Sequence, residues 1–132
     1  MSVRSNYSSG APWESIAGYS RAVRVGKVVE IAGTTAVDSD GQIIGVGDIG
    51  AQTEYIFKKI DNVLKKAGSN MSDVIRTRMY VTDINNWEVV TRIHGNIFSE
   101  IKPVSTIVEV SRLIDEELLI EVEISAVVNN RN

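Results

Sequence analysis

Residues 48–68, "DIGAQTEYIFKKIDNVLKKAG", constrain the fold more than any other stretch of the chain. Ile49, Ile56, Ile60, Val63, Leu64 and Ala67 recur at helical spacing and form one apolar stripe. Asp48 is placed to cap such a helix. Lys58, Lys59, Lys65 and Lys66 crowd its later half, where the helix dipole favours cations, and Gly68 closes it. A helix with one apolar face must lie on another apolar surface. The flanking sequence supplies that surface as strands.

"SRAVRVGKVVEIAGTTAV" reads as two short β-rich runs divided by Gly26-Lys27. Glycine first fits a tight type II′ hairpin, with a longer loop as the alternative. "DSDG" at residues 38–41 is a second turn signal. After the helix, "DVIRTRMYVTD" alternates, with Ile75, Thr77, Met79 and Val81 on one face and Arg76, Arg78 and Tyr80 on the other. Asp83 or Asn85 can cap a second helix to about residue 101, with Trp87, Val90, His94, Ile97, Phe98 and Ile101 as its stripe. Lys102-Pro103 ends it. "VSTIVEVSR" and "LLIEVEISAVV" are the last strands. The first fifteen residues, polar and Gly/Pro-bearing, read as an irregular lead-in.

The order β-β-α-β-α-β-β predicts an α+β fold, a single sheet with two helices on one face. In the last strand Leu119 and Val127 share a face with Glu121, Glu123 and Ser125, so that face is only partly polar. Neighbouring subunits are expected to cover it.

A length of 132 residues fits one domain spanning 1–132. The absence of cysteine excludes thiol catalysis and thiolate metal sites. Net charge is −3 with mixed signs, and no basic stripe for nucleic acid appears. No apolar run approaches the roughly 20 residues of a membrane span. A soluble, cytoplasmic protein is expected, with neither nucleic acid nor membrane as partner. His94 is the only histidine, and no HExxH pattern accompanies it, so no metal site is expected. "GVGDIG" lacks the lysine of a phosphate loop and reads as a turn into the helix.

Gly18-Tyr19, "VGKVVEIAG", "AQTEYIFKKIDNVLKKAG", "VIRTRMYVTDI", and "VEVSRL" followed by "IEVEISAV" keep an order and spacing that resemble the Rid (YjgF-like, reactive intermediate deaminase) family over nearly the whole chain. The resemblance implies a chorismate-mutase-like fold assembled as a homotrimer, with ligand clefts between subunits. It also implies hydrolysis of enamines and imines such as 2-aminoacrylate to a ketoacid and ammonia, without metal or organic cofactor. On this resemblance Glu121 aligns with the carboxyl that directs water, Tyr19 with an aromatic hydroxyl, and Gly33 with backbone that approaches the small-molecule ligand. Ser105 stands where the family carries a guanidinium for the substrate carboxylate, and Ile107 replaces a smaller cysteine-like residue. A bidentate charged contact is therefore missing. The function implied is a deaminase for small imines or enamines other than 2-aminoacrylate; the alternative is a noncatalytic metabolite-binding trimer.

The residues themselves leave choices open. Glu121 is either the cleft carboxylate or a surface glutamate in step with Glu123. Tyr19 either lines the cleft or closes a sheet edge. His94 is either a packed, hydrogen-bonded histidine or a cleft acid or base. Arg78 either replaces the charge missing at Ser105 or makes a structural ion pair. Arg112 reads as architectural.

Overall fold

The computed structural model describes residues 3–129. The chain runs β1 (Arg4–Tyr7), α1 (Pro12–Ala17), β2 (Ala22–Val25), β3 (Val28–Thr34), α2 (Ile49–Lys66), β4 (Val74–Val81), α3 (Trp87–Phe98), β5 (Val104–Glu109) and β6 (Ile120–Val127). The six strands form one sheet in the order β1-β2-β3-β6-β4-β5. All neighbours are antiparallel except the parallel pair β4–β5.

The α2 stripe lies on the sheet as its spacing predicts. Ile56, Phe57, Ile60 and Leu64 are buried against Val29, Ile31, Met79, Val81, Ile120, Val122 and Ile124. Withdrawing each such side chain from water contributes about 1.5–3 kcal/mol. The Asp48 carboxylate accepts from the Ala51 N–H at 3.1 Å, and Gly68 follows the helix at φ +78°. At the first hairpin Gly26 has φ 60° while Lys27 stays at negative φ, which selects II′ over I′.

Three local expectations are corrected. The lead-in is not irregular: β1 pairs with β2 from Arg4↔Val25 to Tyr7↔Ala22. Pro12 then starts α1, where its fixed φ suits the first helical turn. Buried Glu14 holds this segment through the Ser9 N–H and hydroxyl. In β4 the residue facing the core is Val74, whereas Ile75 is 51% exposed, because the register with β6 shifts between Val74 and Arg76. Trp87 is 49% exposed, because the preceding residues form a separate 3₁₀ turn capped by Asp83, so Val90 is the first buried residue of α3.

The opposite sheet face is the one that presents Glu121 and Glu123. Val25, Val28 and Val127 are cross-strand neighbours there and remain 41%, 48% and 38% exposed.

Candidate active site

β3 breaks its pairing with β6 between Ile31 and Thr34. The irregularity brings Gly33 against Glu121: a Cβ on Gly33 would overlap Oε2 of Glu121 and lie 2.9 Å from its Cδ. An added methyl here would displace the Glu121 carboxyl rather than strain the backbone. Glu121 is half-buried. Burial pushes its carboxyl above the ordinary carboxylate range, Arg21 opposes this, and the neighbouring Glu123 adds to it.

Arg21 is fixed on the same spot. Its Nη2 donates to the Gly33 carbonyl at 2.8 Å, its guanidinium lies 5.9 Å from the Tyr19 ring centroid, and its Nε is buried without a partner. Lys59 approaches from α2, donating to the Val37 carbonyl at 2.8 Å. Burial, and then the Arg21 charge, hold its ammonium below the ordinary lysine value. Tyr19 lines a depression of about 530 Å³ on the open face with Arg4, Asn6, Arg78 and Glu123.

Arg78 takes part in an ion pair. It lies 3.8 Å from Glu123 Oε1, the oxygen that also accepts from the Tyr80 hydroxyl at 2.7 Å. It sits on the Glu121 face, opposite to that of Ser105, so within one chain it supplies no cation at Ser105.

Ser105 belongs to the other face. Thr77 pairs with Ser105 on one side and with buried Ile124 on the other, so all three point toward the helices. Tyr80 pairs with Glu121, and both point away. The Thr77 hydroxyl donates to Ser105 Oγ at 2.7 Å and lies 2.8 Å from His94 Nε2. The His94 ring packs on Phe98 and Phe57, with centroids 4.6 and 6.0 Å apart. Burial lowers its pKa and favours the neutral imidazole. Ile107, opposite Met79, packs half-buried against the core.

The candidate residues thus form two groups in one chain: Tyr19, Gly33 and Glu121 with Arg78 nearby on the open face, and Ser105, Ile107 and His94 on the helix side. Arg21 and Thr77 escaped the sequence reading. Tyr19, Arg21 and Val23 are two residues apart in a strand entry, a spacing that places Arg21 beside Tyr19. A threonine among the apolar residues of one β4 face was the signal for Thr77.

Residues 9–128 match the family model for Endoribonuclease L-PSP. A Mycobacterium tuberculosis structure, identified as a member of the YjgF/YER057c/UK114 family, superimposes with a TM-score of 0.86 at 44% identity, covering 96% of this chain and 100% of the other. The chain belongs to the YjgF/Rid family. A Yersinia pestis Rid-family structure superimposes with a TM-score of 0.84 at 32% identity, again covering 96% and 100%. The 3-aminoacrylate deaminase RutC of Acinetobacter baylyi is 26% identical over 107 residues, 81% of this chain and 84% of that one. The six-stranded sheet with its packed helices is the YjgF-like fold expected from the sequence.

Proposed function

We propose that this Rid-family chain hydrolyses small enamine or imine metabolites in clefts between the subunits of a homotrimer, with a substrate other than 2-aminoacrylate. The half-buried Glu121 carboxyl, seated on Gly33 beside the Arg21 guanidinium, carries the reading. An enamine protonated at carbon becomes an iminium ion, as does a protonated imine. Glu121, in its ionised form, takes a proton from water as the oxygen bonds to the iminium carbon, giving a neutral carbinolamine. Glu121 returns that proton to the amine nitrogen, the C–N bond breaks to release ammonia, and the hydroxyl proton leaves to water as the carbonyl forms. A raised pKa suits a carboxyl that must both accept and return a proton near neutral pH.

The relative named as a 3-aminoacrylate deaminase supports this chemistry, since 3-aminoacrylate is itself an enamine. The subunit cleft is supported by the two residue groups facing opposite sides of the sheet, and by the exposed valine row that a second copy can cover. Ser105 supports the altered substrate, because a hydroxyl carries no charge for a carboxylate. The test is ammonia release while an amino-acid dehydratase generates imines from several amino acids. Acceleration with at least one of them is expected; none, beside an active control enzyme, contradicts catalysis.

A second reading, a noncatalytic metabolite-binding trimer, draws on the same neutral Ser105. Thermal stabilisation by a metabolite recovered unchanged favours it.

A further inference from the structure

Tyr19, Gly33 and Glu121 come from three separate stretches of the chain, and one side chain links them. The Arg21 Nη2 donates to the Gly33 carbonyl at 2.8 Å. Its guanidinium lies 5.9 Å from the Tyr19 ring centroid, within the range of a cation–π contact. Gly33 in turn has the Glu121 carboxyl in the space that a Cβ would take. Arg21 therefore grips the backbone on which that carboxyl rests. The Tyr19 N–H donates to the Glu14 carbonyl at 2.9 Å, and the buried Glu14 side chain is tied to the Ser9 N–H. The stretch that carries Arg21 is thus itself held. Among the described residues the Arg21 Nε is buried without an acceptor. A buried donor left orphaned costs stability, a cost that proteins accept mainly at functional sites.

We infer that Arg21 is the positioning residue of this site, holding the Gly33 backbone and the Tyr19 ring in place around the Glu121 carboxyl. The inference rests on the proposed hydrolysis and deepens it by naming the side chain on which the geometry of the site depends. Arg21 acts through its neighbours and not on the reacting atoms. Its second effect is electrostatic. Glu14 of α1 and Lys59 of α2 lie within the field of Arg21, and Glu123 of β6 and Tyr80 of β4 within that of Glu121. Burial and Glu123 disfavour the ionised Glu121 carboxyl, and Arg21 is the group that favours it.

The first test does not depend on turnover. NMR of the ¹³C-labelled protein follows the Glu121 carboxyl through a pH titration, and the Gly33 carbonyl carbon at fixed pH, in the parent, R21K and R21M. R21M removes both the charge and the bond to Gly33. Glu121 is then expected to titrate at higher pH than in the parent, and the Gly33 carbonyl signal to move upfield as its donor is lost. R21K keeps a cation but lacks the planar fork that reaches Gly33 while lying over Tyr19. In R21K the Glu121 midpoint stays near that of the parent while the Gly33 signal moves, which keeps the test usable if R21M fails to fold. With an imine substrate in hand, kcat falls about tenfold in R21K, the worth of one hydrogen bond from a charged donor, and KM holds. A Gly33 signal unmoved in R21K, a Glu121 midpoint unmoved in R21M, or a loss confined to KM overturns the inference. Failure of the hydrolysis reading appears separately: no imine releases ammonia, although both NMR signals respond as stated.

Discussion

The two faces of the sheet solve opposite electrostatic problems. On the open face, a carboxyl and a guanidinium meet over Gly33, and the guanidinium opposes the rise that burial imposes on the carboxyl. On the helix side, Thr77, Ser105 and a neutral imidazole are joined by two short hydrogen bonds. In the first group Glu121 is half-buried and Arg21 opposes the effect of that burial, and the proposed function gives this carboxyl the proton transfer. In the second, Thr77 is fully buried and His94 packs on Phe57 and Phe98, where an unpaired charge would be costly, while Ser105 lies exposed at the edge. The proposed function draws on both faces, with Glu121 on one and Ser105 on the other.

The sharpest way to break this division is G33A. The backbone at Gly33 accepts alanine, but the new methyl occupies the place of the Glu121 carboxyl. Ammonia release is expected to fall about 100-fold, the cost of displacing a reacting group by about 1 Å, with the fold unchanged by circular dichroism. An unaffected rate would detach Glu121 from the chemistry.

A smaller effect sharpens the other side. Burial among Phe57, Phe98 and Thr77 holds His94 below its ordinary pKa. The folded state therefore binds that proton less well than the unfolded chain. The stability contributed is present above about pH 6.5 and is lost as pH falls toward the folded pKa. Urea midpoints for the parent should drop across that interval, and H94Q should show a shallower drop. Equal slopes would mean that the imidazole is not held neutral.

The strong periodicities were readable. The α2 stripe, the alternation of β4 and β6, and the Gly26 turn each specify a local conformation, and local patterns survive folding intact. β1 was not, because three polar residues and one tyrosine, "RSNY", carry no apolar alternation and gain their conformation from β2. Residue parity showed that Glu121 points opposite to Ile120, but Ser105 could be assigned a face only through Thr77, 28 positions away. The slip at Val74 and the break at Ile31 arise from strand pairing, which no single segment encodes.

The central claim is that one working cleft takes Glu121 from one copy and Ser105 from another. Its most direct test is ammonia release by assemblies unfolded and refolded together from E121Q and S105W, each variant inactive alone. Mixed assemblies should recover about a quarter of the parental rate, the chance that a random neighbouring pair contributes both intact walls. A mixture no more active than its two components would contradict the account.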